Sequence, residues 1–387
     1  MAAWRGWPDV RIPFNRPHLT GREFTYISEA VAGGQLAGNG VFTQRCHTWL
    51  ERELGCARAL LTHSCTAALE MAALLLDLVP GDEIIMPSFT FVSTANAFVL
   101  RGARPVFIDI RPDTLNMDET LIEAAITDRT RAIVPVHYGG VACDMEAIME
   151  IARRHNLVVI EDAAQGFLAR YRNQPLGSIG HLAALSFHET KNVISGEGGA
   201  LLVNDERFRV RAEIIWEKGT NRSQFLRGEV NRYTWVDLGS SFLPGELIAA
   251  FLWAQFESAH EMTSERLRLW NQYASGSAVW EPLGVRLPVV PEYASHNGHL
   301  FYLLLPAGVS RAEVLTDLNN RGVNAIFHYV PLHDSPAGRR YGRTGSRMDV
   351  TVDLSSRLIR LPIWVGLQSA QVEFVTGSVT ESLTQNV

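Results

Sequence analysis

From about residue 58 the chain alternates short apolar runs with longer stretches of helix-forming residues. Ala59–Thr62 is the first such run. Thr66–Leu78 is dense in Ala, Leu, Met and Glu, which lose little freedom in a helix, so the stretch predicts one. Pro80-Gly81-Asp82 ends it. Strands are predicted over Glu83–Met86, Pro105–Ile110, Arg131–His137, Leu157–Ile160, Ala183–Phe187 and Ala200–Val203, with helices over Phe91–Arg101, Met117–Ala125 and Met145–His155. Short apolar strands separated by helices mark βαβ units and a mainly parallel sheet covered on both faces.

The pattern changes after about residue 240. Pro244–Glu257 reads as a long helix with proline in its first turn, where a missing N–H costs nothing. Glu261–Ser275 reads as another. Strands at Leu300–Leu305 and Ala325–Tyr329 flank a helix over Arg311–Arg321, so this part reads as a smaller α+β unit. The expected division is a large domain over 12–250 and a small one over 251–387. A chain of 387 residues suits two or three such units.

Composition narrows the function classes. Hydrophobic residues make up 47% and charged residues 20%, as in ordinary globular proteins. The net charge of −6 and the lack of a basic stripe argue against a nucleic-acid partner. No apolar run reaches the roughly 18 residues of a membrane span, and the N-terminus has no signal-peptide pattern, so a cytoplasmic location away from membranes is expected. Cys46, Cys56, Cys65 and Cys143 match no zinc spacing; they are expected to be reduced, and no metal is expected.

In open parallel sheets ligands bind beyond the carboxyl ends of the strands. Lys191 follows the strand ending Ser186-Phe187-His188 and precedes Gly196-Glu197-Gly198-Gly199. Lysine forms Schiff bases with aldehydes, although a lone lysine is most often a solvated loop residue. Asp162 ends the apolar strand, and a carboxylate there suits a protonated ring nitrogen or a helix N-cap. Ser64-Cys65-Thr66-Ala67 joins a strand to a helix, where backbone N–H groups hold an anion or the hydroxyls simply cap the helix. Phe91 offers an aromatic face to a flat ring, or a core contact. His137 and His188 offer hydrogen bonds to a ligand, or serve the core. The ordered occurrence of an anion-binding turn, an aromatic, an Asp, a Ser and a Lys at successive strand ends makes up a pyridoxal 5′-phosphate (PLP) site.

With these residues in view, the chain resembles the DegT/DnrJ/EryC1/StrS family of sugar aminotransferases from about Ile12 to about Gly366. The most specific stretches are GDEIIMPSFTFVSTANAF (81–98), VVIEDAAQ (158–165) and SFHETKNVISGEGG (186–199). The resemblance implies the PLP-dependent transferase fold type I, aspartate aminotransferase-like. It implies that Lys191 bonds the cofactor, Asp162 pairs with the pyridine nitrogen and Gln165 lies near the ring hydroxyl. Thr66, Ala67 and Ser186 would hold the phosphate, and Phe91 would stack on the ring; His188, beside Lys191 in the sequence, is a further catalytic candidate from the residue reading alone. A homodimer with shared active sites is also implied. Ser241 stands where the family commonly has an Asn that reaches the partner's phosphate, and Leu243 where it has an Arg; serine can still donate a hydrogen bond.

The stretches KGTNRSQF (218–225) and FHYVPLH (327–333) resemble members that act at C4 of a TDP-4-keto-6-deoxyhexose with glutamate as amino donor. They put Asn221, Arg222, His328 and Tyr329 at the nucleotide sugar. A sugar dehydratase of the same fold would replace Lys191 by histidine or cluster its cysteines, a non-enzymatic homologue would have a broken site, and the chain does neither. A C3 aminotransferase stays open.

Overall fold

The computed structural model describes residues 12–386. Its main sheet has eight strands: β1 (Arg58–Thr62), β2 (Glu83–Pro87), β3 (Arg104–Ile108), β4 (Thr130–Ile133), β5 (Val158–Asp162), β6 (Leu182–Ser186), β7 (Gly199–Val203) and β8 (Arg343–Thr344). Their spatial order is β1-β7-β6-β5-β4-β2-β3-β8. Only β7 is antiparallel to its neighbours, β1 and β6.

Each predicted strand of this sheet is present within a few residues. The middles of the central strands are apolar because both faces are covered, while charged residues stand at strand ends and β8, at the edge, is Arg343–Thr344. On β6, Leu182 and Ala184 point into the core beneath helix Cys65–Leu75, while Ala183 and Leu185 point to the opposite core with Trp49, Leu50 and Ala250. This is the two-residue side-chain period of a strand. Ala67, Ala68 and Ala72 leave helix Cys65–Leu75 close to the sheet, which draws its N-terminal turn toward the strand ends.

A further core lies under the C-terminal part. There Phe301–Leu304 pairs with Leu358–Leu361, and helices Ala259–Ser277, Arg311–Asn320 and Ser369–Asn386 cover the pair. Ile12 joins this core from the other end of the chain.

Three expectations are corrected. Ala325–Tyr329 is not a strand, since only Ile326 makes a bridge, to Arg360; the partner of Phe301–Leu304 is Leu358–Leu361. Met117–Ala125 is a short 3-10 turn, Glu119–Leu121, followed by Ile122–Ala125, because the Asp118 carboxylate accepts from Thr120 N and starts the turn late. The helix expected from Pro244 begins at Glu246 with Gly245 as its N-cap, so the proline precedes the first turn. Among the described residues no helix is long and apolar enough to cross a membrane.

Candidate active site

Three strand ends meet the N-terminus of helix Cys65–Leu75. Thr62, Gly199 and Ser186 lie in one row across β1, β7 and β6. Gly199 is in the middle, and a Cβ there would come within 2.5 Å of Cys65 N. The missing side chain lets the Ser64-Cys65 turn drop onto the sheet beside Ser186. Ser64 caps the helix by accepting from Ala67 N at 3.1 Å. The Thr66 hydroxyl lies 2.7 Å from that of Ser93. The first N–H groups of a helix have no acceptor within it, so this turn presents donors to an anion.

Asp162 is buried at the end of β5. Its Oδ2 accepts from Thr94 Oγ1 at 2.7 Å and its Oδ1 from Ala164 N at 3.1 Å. Thr94 is in turn 2.8 Å from Thr90. Each carboxylate oxygen keeps a free lone pair. Lys191 is half-buried, and its amine has no hydrogen-bond or ion-pair partner among the described residues. Burial pulls the amine below its ordinary pKa, Cys65 and the Asp162 carboxylate pull it back up, and Arg360 pushes it down.

Gln165 is buried. Its Oε1 accepts from Gly139 N at 2.7 Å, and its Nε2 donates to Tyr329 OH at 2.8 Å. Tyr329 stacks on His328 with ring centroids 3.7 Å apart and lies 6.3 Å from Phe91. His328 Nδ1 is 2.8 Å from Tyr138 OH. The structure therefore links Gln165, Tyr329, His328 and Phe91 in one aromatic wall. Phe91 is 56% exposed, so its face is free for a ligand.

Other residues lie differently. His137 is fully buried and pairs with Glu161 at 2.9 Å; its Nδ1 accepts from Cys143 N. The His188 ring bonds Thr190 at 2.9 Å and faces Glu197. Asn221 uses both polar ends within its own loop, donating to Arg232 O and accepting from Thr234 N. Arg222 pairs with Glu217 at 3.1 Å. Ser241 is exposed and bridges Glu217 through the backbone. None of Asn221, Arg222 and Ser241 has a hydrogen bond or ion pair to the Asp162–Lys191 group.

The sequence reading gave no role to Thr94, Asn192 and His299, and placed Tyr138 at a strand end without assigning it one. Asn192 donates to Asn297 O and lies 2.9 Å from His299 Nδ1, which ties the Lys191 loop to the segment before Phe301–Leu304. Thr94 was the most legible of these, since Phe91 and Thr94 are three residues apart at one helix start.

The donors fit one cofactor. An anion-holding turn, a buried acid with spare acceptors, an unpartnered amine and an exposed aromatic face suit a phosphate, a pyridine nitrogen, an aldehyde and a flat ring. Fold and site together define a PLP-dependent enzyme with the fold-type-I architecture. The sequence profile of the DegT/DnrJ/EryC1/StrS aminotransferase family matches residues 17–380. The chain belongs to this family, and it is a sugar aminotransferase whose cofactor is PLP.

It is 32% identical over 381 residues to the spore coat polysaccharide biosynthesis protein SpsC of Bacillus subtilis, covering 96% of each chain. It is also 32% identical over 380 residues to the GDP-perosamine synthase of Caulobacter vibrioides, covering 96% of this chain and 98% of that one. The aminotransferase TlmJ from Streptoalloteichus hindustanus superposes with a TM-score of 0.88 at 28% identity, covering 97% of this chain and 99% of that one.

Proposed function

We propose that the enzyme moves the amino group of glutamate to C4 of a TDP-4-keto-6-deoxyhexose, giving a TDP-4-amino-4,6-dideoxyhexose. The observation that carries the transaminase site is the unpartnered Lys191 amine in the field of the buried Asp162 carboxylate, beside the Thr66 turn. Bound PLP supplies an aldehyde for amines and a ring that accepts electrons from the carbon losing a proton.

The chain's own groups do the rest. The Ser64–Ala67 turn and Ser186 hold the phosphate. Asp162 keeps the pyridine nitrogen protonated, and Thr94 and Ala164 N fix the carboxylate's orientation. Gln165 would meet the ring hydroxyl, and the exposed face of Phe91 would cover the ring. Lys191 Nζ carries the proton from the amine-bearing carbon, and burial favours its neutral, basic form. His188 lies on the Lys191 loop, where the Lys191 N–H donates to its carbonyl at 2.9 Å. It serves catalysis by holding that turn.

The stretches 218–225 and 327–333 support the nucleotide sugar. His328 and Tyr329 pair aromatic faces with polar tips, which suits a sugar with apolar faces and polar edges. Arg222 would meet the diphosphate by exchanging its bond to Glu217, and Asn221 would act by holding the loop that presents it. The enzyme works as a homodimer in which the exposed Ser241 reaches the neighbour's cofactor phosphate.

Enzyme, glutamate and TDP-4-keto-6-deoxyglucose should yield 2-oxoglutarate and an amino sugar by mass spectrometry, with nitrogen on C4 by NMR. Faster turnover of free keto sugars or small keto acids would overturn the substrate, and nitrogen on C3 would overturn the position.

A further inference from the structure

We propose that Asn192 and His299 are positioning residues for Lys191, tying the loop that carries its amine to the turn Asn297-Gly298-His299 and so to the segment that carries Gln165. This rests on the aminotransferase reading above and adds to it the parts that aim the lysine.

The Lys191 loop runs from the end of β6 to the start of β7 with no helix or strand of its own. Among the described residues Lys191 makes one backbone hydrogen bond, from its N–H to His188 O at 2.9 Å. The next residue supplies the anchor. Asn192 is buried; its Nδ2 donates to Asn297 O at 2.9 Å, and its Oδ1 lies 2.9 Å from His299 Nδ1. A carbonyl oxygen can only accept, so the amide nitrogen of Asn192 faces Asn297 and its oxygen faces His299. That oxygen also only accepts, so the hydrogen between the two side chains sits on His299 Nδ1. Burial lowers the pKa of His299, and Lys191, Arg266, His328 and Arg360 lower it further, so the ring donates as a neutral imidazole.

A tie positions a group only if its far end is fixed. Asn297 Nδ2 donates to both Gln165 O and Phe167 O at 2.8 Å, and its Oδ1 accepts from His299 N at 3.0 Å. Gly298 has a φ of +63°, and a Cβ there would come within 2.8 Å of the Arg266 carbonyl carbon. Arg266 is buried on helix Ala259–Ser277. Its Nε donates to Gly298 O at 3.1 Å and its Nη2 to His299 O at 2.5 Å.

Asn297 therefore spans two strand ends. Its side chain holds the segment after β5, where Gln165 sits, and its carbonyl holds the residue beside Lys191. A misplacement of about 1 Å at a reacting group costs on the order of a hundredfold in rate. A lysine on an irregular loop has no element of its own to prevent that, and the Asn192 tie does.

The test uses the full chain stripped of cofactor and then mixed with PLP. Asn192→Leu keeps the size of the side chain and removes both bonds. It should slow the appearance of the imine absorbance at least tenfold, and slow its loss on adding saturating glutamate without sugar by a similar factor. The glutamate concentration for half-maximal rate should change less than threefold. Affinity for pyridoxine 5′-phosphate, which has an alcohol in place of the aldehyde and forms no imine, should change less than twofold. An unchanged rate of imine formation overturns the proposal. So does an equal loss of pyridoxine 5′-phosphate affinity, which would make Asn192 a support of the whole site. If Asn192→Leu fails to fold, His299 gives the same test. His299→Leu leaves the Asn192 oxygen without its donor and should slow imine formation at least fivefold, whereas His299→Gln, whose side-chain N–H can donate to that oxygen, should lose no more than threefold. Equal effects of the two substitutions overturn the proposal. Failure of the underlying reading is distinct, because the wild-type chain would then form no imine with PLP.

Discussion

Asp162 is held by two hydrogen bonds, and its charge raises the pKa of the Lys191 amine against the effect of burial. Borohydride reduction and peptide mapping should label Lys191, and Lys191→Ala should lose transamination while still binding PLP non-covalently; a label on another lysine refutes the assignment. Asp162→Asn should lower turnover strongly with little loss of stability, because Asn keeps the shape without the charge. Thr94→Val separates orientation from charge. It removes one hydrogen bond to the carboxylate, about 1.5–3 kcal/mol, and should slow turnover roughly ten- to a hundredfold with PLP still bound. Unchanged rates in both variants would reduce Asp162 to a helix-start residue. Lys191 and Asp162 were legible because each sits at a strand end in a specific stretch.

At the scale of elements, the end of β5 divides two jobs between adjacent carboxylates. Strand alternation sends Asp162 toward Thr94 and Glu161 to the other side. There Glu161 accepts from His137 Nε2 and from the N–H groups of Gly177, Ile179 and Gly180. Burial raises the pKa of Glu161, but His137 and these N–H groups outweigh it and leave the value below the ordinary 4.5. Glu161→Gln takes the charge from a buried, hydrogen-bonded carboxylate and should cost about 1.5–3 kcal/mol, seen as a lower midpoint in chemical denaturation. A depressed carboxylate contributes stability that is present above its unfolded value and lost as pH falls through the folded value. The wild-type advantage over Glu161→Gln should therefore be full at pH 7 and shrink in the acid range below about 4.5. A difference independent of pH would mean that Glu161 acts by packing alone. Seven strands of the main sheet were legible because their central residues are apolar; Arg343–Thr344, a polar two-residue edge strand, was not. Ala325–Tyr329 misled because Ala325 packs in the C-terminal core, His328 and Tyr329 join the site wall, and only Ile326 is bridged to a strand.

For the whole molecule, Ser241 and Trp235 are both exposed, which leaves them free to meet a second copy of the chain. Light scattering should show a dimer, and a fully active monomer would refute the shared site. By itself the sequence determined the alternating strands and helices, the mainly parallel sheet, the family and the cofactor. Apolar periodicity and strand-end chemistry are local and survive without coordinates. Only the tertiary structure decided which polar groups are already spent and which remain free. Asn221 is consumed by Arg232 and Thr234, and His137 by Glu161, whereas the Lys191 amine and one arm of Arg360 keep no partner. The reason is physical: a side chain's availability depends on neighbours brought from distant parts of the chain, 190 residues away for the Tyr138–His328 bond, and no local pattern encodes that distance.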